Sequence, residues 1–200
     1  MAVIEALQEG AHGIVSLTVA GGSLFRFRRL YMEQADEGGG LPDLAVGAAV
    51  VDGLLERAAE AQEAEDKAQA LLARAEQYRA GLERKLMAKK FSRAAIAAAL
   101  DYLEERGWLS DRRYAQAWIR QRMRRHAEGP LSVKAALAAK GLSRDALALA
   151  IAAEFDEGQR SELLEQACGL LGGHNDDDMR RSLKKLGWKS AEIDELYERS

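Results

Sequence analysis

The chain has 200 residues, 48% apolar and 30% charged, which suits one medium domain or two small ones and excludes wholesale disorder. No run reaches the roughly 18 apolar residues that a membrane-spanning helix needs, so no span is expected. The net charge of −3 conceals an uneven distribution: residues 79–144 hold 16 Lys/Arg against 6 Asp/Glu, whereas 1–78 hold 6 against 13 and 145–200 hold 7 against 13. A basic middle between acidic ends points to a polyanion or an acidic protein surface as partner.

The first ten residues, MAVIEALQEG, carry two glutamates and lack the basic start of a secretory leader. Cys168 is the only cysteine, so no internal disulfide can form and a cytoplasmic location is expected. Its setting, LLEQACGLL, reads as buried packing.

Residues 13–32, GIVSLTVAGGSLFRFRRLYM, alternate at period two, with Val15, Leu17, Val19, Phe25 and Phe27 facing one way. Ala20, Gly21, Gly22 and Ser23 supply the turn, so a β-hairpin with strands near 13–19 and 24–31 is expected. EQADEGGGLPDL then reads as a connector. Residues 1–45 are thus expected to be a hairpin extension on a linker mobile around 36–40. A chain starting near Asp43 should then keep its helices.

From about Leu41 onward only helical periodicity appears, as in Leu54, Ala58, Ala61 and Ala68, Leu71, Leu72, Ala75. Residues 88–100, AKKFSRAAIAAAL, share seven of thirteen positions with 139–151, AKGLSRDALALAI. The apolar frame Leu82, Leu86, Phe91, Ile96, Leu100 is matched without a gap by Val133, Leu137, Leu142, Leu147, Ile151, and again by Met179, Leu183, Trp188, Ile193, Tyr197. Each copy reads as helix, tight turn, helix. Lys90, Gly141 and Gly187 fall where a helix end wants a left-handed residue, and Ser92 and Ser143 fall at the next N-cap. In the third copy Lys189 precedes Ser190, which shifts the expected helix start by one residue. A further helix precedes each pair, at 56–76, 111–125 and 159–171, with fusion of 56–76 to 79–89 left open. The expected fold is mainly α: three tandem three-helix repeats (46–110, 111–157, 158–200) in an elongated curved array, with the N-terminal hairpin.

No phosphate-loop, dinucleotide-binding, HExxH or GxSxG pattern occurs, so no enzyme is expected. GGHNDDD at 172–178 is the one stretch with metal-ligand chemistry, but its carboxylates suit a helix N-terminus, and neither metal nor cofactor is expected. The richest segment is DRRYAQAWIRQRMRRHAEGP, 111–130. Tyr114, Ala115, Trp118, Ile119 and Met123 make an apolar stripe, which at helical spacing reads as core rather than as a base-stacking platform. Arg113, Arg120 and Arg124 recur at i, i+7, i+11 on another face, while Arg122 and Arg125 flank the stripe. Lys85 and Lys89 extend the basic surface from the first copy and Lys134 from the second. The outward arginines are the expected polyanion contacts, because a planar guanidinium suits phosphate and carboxylate alike.

The stretch LSDRRYAQAWIRQRMRRHAEGPLSVKAALAAKGL resembles the central repeat of the RecX family. Asp111, Tyr114, Ala115, Arg122, Gly129, Pro130, Val133, Leu137, Lys140, Gly141 and Leu142 meet that family's pattern in order. LERKLMAKKF and IAAALDYLEERGWLSD resemble its first repeat and the junction that follows, whereas GGHNDDD lies outside the pattern. The resemblance implies a cytoplasmic modulator of the RecA recombinase, seated in the groove of the RecA–single-stranded-DNA filament. It implies restraint of ATP hydrolysis and strand exchange, with weak DNA binding of its own. On that reading Arg113, Arg120, Arg124, Arg125, Lys85, Lys89 and Lys134 are the expected filament or DNA contacts. Asp111, Tyr114, Arg122, Gly129, Lys140 and Gly141 are expected to be structural or at the rim, and the chain to be a monomer. The alternatives are a stand-alone helical DNA-binding module or regulator of transcription, and a scaffold that binds only proteins.

Overall fold

A computed structural model describes residues 1–35, 44–51, 53–126, 128–172 and 175–199. The expected mobile segment at 36–40 lies outside the described residues, as do Gly173 and His174. The chain divides into two compact units, Met1–Ala75 with Leu82–Leu109, and Glu76–Gly81 with Ser110–Ser200.

In the first unit, β1 (Ala2–Glu9), β2 (Ile14–Val19), β3 (Leu24–Arg28) and β4 (Ala49–Val50) form an antiparallel sheet in the order β3-β2-β1-β4. The expected hairpin is β2–β3, turning through Gly21 and Gly22 at φ of 98° and 83°. β3 stops at Arg28 rather than running to 31, because the helix α1 (Arg29–Ala35) begins there. Three further helices complete the unit: α2 (Leu54–Leu72), most of α3 (Arg79–Met87), and α4 (Arg93–Glu105). α2 ends well before α3 starts, so the two are not fused.

The hairpin is no appendage. Val15, Leu17, Val19 and Phe27 share one core with Tyr31 and Met32 of α1, Leu54, Leu55 and Ala58 of α2, and Ile96, Leu100 and Leu103 of α4. Two extra strands make it a sheet, and a sheet with an apolar face must bury that face against something. The expectation of a detachable extension is therefore corrected.

A buried ion pair ties the sheet to α2. Glu65 is fully buried, and its carboxylate accepts from Arg28 Nε (2.7 Å) and Nη2 (2.6 Å), from the Tyr31 hydroxyl (2.8 Å) and from Gln69 Nε2 (2.5 Å). Arg28 also donates to the His12 carbonyl at 2.8 Å, and its guanidinium carbon lies 4.2 Å from the centre of the Tyr102 ring on α4. Burial, then the bond to Glu65, pushes the Tyr31 phenol far above its usual range. With its hydrogen bonds made, a buried charge is tolerated; losing one partner strands the other in low dielectric.

The second unit contains α5 (Asp111–Met123), α6 (Pro130–Ala139), α7 (Arg144–Glu154), α8 (Glu157–Leu171), α9 (Asp176–Lys185) and α10 (Ser190–Arg199). The repeated frame holds, since Leu86, Leu137 and Leu183 are all fully buried, as are Ile96, Leu147 and Ile193 within 3%. Lys90, Gly141 and Gly187 adopt φ of 69°, 95° and 90°, and the hydroxyls of Ser92 and Ser143 accept from the N–H of Ala95 and Ala146 at 3.2 Å. The third copy does not start late. α10 begins at Ser190, in register with the other two, with Lys189 at the cap position. There the Glu192 carboxylate reaches back to accept the Lys189 N–H at 2.9 Å, a different bond from the one that Ser92 and Ser143 accept.

Copies meet by one rule: the turn of a later copy rests on the helix start of the copy before it. Gly129 N–H donates to the Leu186 carbonyl at 2.7 Å and Leu131 N–H to that of Gly187 at 3.2 Å. A methyl group on Gly129 would lie 2.5 Å from the Gly187 carbonyl carbon, so the two backbones touch with no room for a side chain. A methyl group on Gly141 would lie 3.2 Å from the Ala80 methyl, a looser approach of the same kind.

Glu65→Ala should cost the first unit about 3–5 kcal/mol, because it leaves the Arg28 guanidinium buried without its counter-ion. Urea unfolding followed by circular dichroism measures this. A loss under about 1 kcal/mol would show that the pair is solvated and not a tie between sheet and helix.

Candidate functional site

α5 carries the densest cationic sequence in the chain. Ala115, Ile119 and Met123 are buried, and Tyr114 and Trp118 pack half-buried beside them, so the aromatic stripe is core as expected. Tyr114 stacks on Tyr78 with ring centres 4.6 Å apart, and burial raises its phenol. Asp111, the first residue of α5, accepts the Arg79 N–H at 2.8 Å and so caps the start of α3. Arg122 lays its guanidinium 4.9 Å from the Trp118 ring centre and grips Glu128 with two bonds of 2.6 and 2.7 Å. That hydrogen bond holds the Glu128 carboxyl below its usual range. Gly129 and Gly141 serve the backbone contacts described above, and the Lys140 ammonium sits 5.9 Å from the Tyr78 ring centre. Asp111, Tyr114, Arg122, Gly129, Lys140 and Gly141 are thus set in the packing of the second copy.

The arginines of the other face are not equivalent. Arg113 bonds Glu76 at 2.9 Å. Arg120 takes a fork of 2.8 and 2.7 Å to Glu154 of α7, a carboxylate only 9% exposed, and this bond raises the arginine pKa. Arg124 lines an open groove of about 350 Å³ with Ile119, Met123 and Leu163 at its floor and Glu154 and Glu162 on its wall. Spacing put the three on one face of a helix, as expected, but could not foresee the carboxylates that neighbouring segments bring to two of them. Glu154 lies 34 residues beyond Arg120, among residues counted with the acidic end.

Arg124, Arg125 and Lys134 are exposed and have no ion-pair partner among the described residues. Arg112 and Arg144 share that condition, and neither stood out in the sequence. In the first unit Lys85 and Lys89 are exposed as well, Lys85 on α3 and Lys89 in the turn that follows. Arg112, Arg124, Arg125, Lys134 and Arg144 can meet phosphate or carboxylate without first breaking an ion pair among the described residues.

A family model described as RecX, second three-helix domain, matches residues 110–151. The resemblance to the RecX family holds. Among curated relatives, the regulatory protein RecX of Xanthomonas citri is 40% identical over 87 residues, which cover 44% of this chain and 53% of that protein. RecX of Neisseria gonorrhoeae strain FA 1090 is 42% identical over 76 residues, 38% of this chain and 48% of that one. The chain thus spans about half the length of the curated relatives it matches. Two solved structures share the fold. A crystal structure of regulatory protein RecX superposes with a TM-score of 0.70 at 14% identity, covering 99% of this chain and all of the other. RecX from Lactobacillus salivarius gives 0.59 at 20% identity, covering 70% and 96%. The RecX-matched segment is α5 to α7, where the unpaired cations Arg112, Arg124, Arg125, Lys134 and Arg144 reside.

Arg120 and Arg124 should therefore respond differently to charge reversal. Arg120→Glu sets two carboxylates together and leaves Glu154 without its partner, so melting temperature should fall. Arg124→Glu should leave it unchanged. Thermal melts of both variants decide it, and equal melting would mean that the Arg120–Glu154 pair contributes nothing to the fold.

Proposed function

We propose that the chain regulates a RecA-type recombinase by binding in the groove of its filament on single-stranded DNA and inhibiting ATP hydrolysis and strand exchange. The observation that carries this reading is the cluster of unpaired, exposed cations within the RecX-like second copy. A nucleoprotein filament offers a long anionic groove of phosphates and protein carboxylates, and a tandem helical array of basic character is complementary to it. Its place would be in homologous recombination, DNA repair and the SOS response of a bacterial cytoplasm. Weak binding to single- or double-stranded DNA by itself would follow from the same cations.

The three exposed positions Arg124, Arg125 and Lys134 offer a cleaner test than Arg120. A variant with all three changed to Glu keeps every described ion pair, so its melting temperature should match the wild type. Inhibition of RecA ATP hydrolysis on single-stranded DNA should weaken by on the order of tenfold or more, since each reversal turns attraction into repulsion. Undiminished inhibition by the folded variant would place the contact elsewhere. Tight, steeply salt-dependent binding to bare DNA would instead favour the stand-alone DNA-binding module.

A further inference from the structure

Two ends of the copy-to-copy pattern stay open. Among the described residues the turn of the first copy rests on no earlier helix start: Ala88, Lys89 and Lys90 are exposed, Lys90 holds the left-handed φ of 69°, and Met87 beside them is 49% exposed. Among the described residues no turn covers the helix start of the third copy, and Asn175, Asp176, Asp177 and Asp178 are all exposed. A cavity of about 240 Å³ opens beside that start, lined by Leu171, Gly172, Asp178, Met179 and Ser182. The repeat frame puts Asp178 in the place of Ser132, the residue against which Gly187 packs one copy earlier. The cavity is therefore where a further turn of the same kind would sit.

We propose that the first-copy turn of one chain docks on the third-copy helix start of another, in a head-to-tail contact between two copies of this chain. The occupant follows from chemistry at both ends. Lys89 and Lys90 have no ion-pair partner among the described residues, and neither have Asp176 and Asp177. Opposite charges thus face outward from surfaces whose counterparts inside the chain already fit one another twice. Met87 adds an exposed apolar side chain next to the turn, and Leu171 and Met179 line the receiving hollow. The contact is of the looser Gly141–Ala80 kind, because Lys90 and Asn175 carry side chains where Gly187 and Gly129 allow none.

Such a contact is heterologous, so it can add chains in a row, and the expected monomer becomes the state of the dilute protein. Its strength is largely electrostatic and falls as salt shortens the screening length. It requires neither a recombinase nor nucleic acid.

Sedimentation velocity on the full chain tests it, with Lys89→Glu/Lys90→Glu, with Asp176→Lys/Asp177→Lys, and with their equimolar mixture. In low salt the wild-type sedimentation coefficient should rise with protein concentration, and high salt should abolish the rise. Each variant alone should stay monomeric with an unchanged melting temperature. The mixture should associate again, because it restores opposite charges across the contact. Should a variant melt early, Lys90→Gln and Asp177→Asn replace the reversals, with weakened association expected. A wild type that sediments at one rate at every concentration would overturn the proposal. So would variants that associate as before, or folded variants whose mixture stays monomeric.

Discussion

The contact of Gly187 with Gly129 and Ser132 is the constraint on which the second unit depends. Each helix in the repeat pairs is short, from 9 residues in α3 to 13 in α4, and helices of that length are marginal alone in water. In the second unit they persist because the second and third copies pool their apolar frames in one core, which they can do only if the later turn seats on the preceding helix start, whereas the first copy's frame is buried with the sheet. Seating demands a left-handed residue at the turn and, where peptide meets peptide, no side chain on either partner. Gly141 and Tyr78 show the looser solution, with the Tyr78 ring stacked on Tyr114 where the next pair of copies has bare backbone. One core from Ala115 to Ile193 then closes over α5 to α10.

Charge is arranged around that core in two classes. Arg28, Arg120 and Arg122 are each gripped by a carboxylate through two hydrogen bonds, and such arginines fasten elements together. Arg112, Arg124, Arg125, Lys89 and Lys134 are solvated and unpaired among the described residues, which leaves them available to a partner. The surplus of basic residues over 79–144 overstates the polyanion-facing charge, since part of it is spent inside the fold. A pair such as Arg120–Glu154 joins a residue of the basic middle to one of the acidic end, so a count by segment cannot see the cancellation.

The repeat was legible because its signals are local: an apolar frame at fixed spacing, a left-handed position, a serine cap. Even the third copy obeyed the frame, although it has Lys189 where the others have a serine and its Glu192 accepts the Lys189 N–H. The sheet was only half legible. β2 and β3 alternate strongly, but β1 reads AVIEALQE, with Ile4 its one buried residue and a register slip after it, so period two is weak there. β4 has only two residues. Glu65 sits in a helical run of Glu, Gln and Ala that reads as solvated, and nothing near it in sequence announces that Arg28, 37 residues away, will bury it. The candidate site shows the same divide: residue type and helical face could be read, while the partner of each arginine depended on which distant segment came to lie against it.

The proposed role of the unpaired cations in α5, just after it and in α6 is to meet a nucleoprotein filament and not bare nucleic acid. Co-sedimentation at physiological salt, with RecA filaments on single-stranded DNA in one arm and the same DNA alone in the other, tests this most directly. Filament binding predicts that the chain pellets with the filament and stays largely in the supernatant with DNA alone. Equal pelleting in the two arms, or none with the filament, would contradict it.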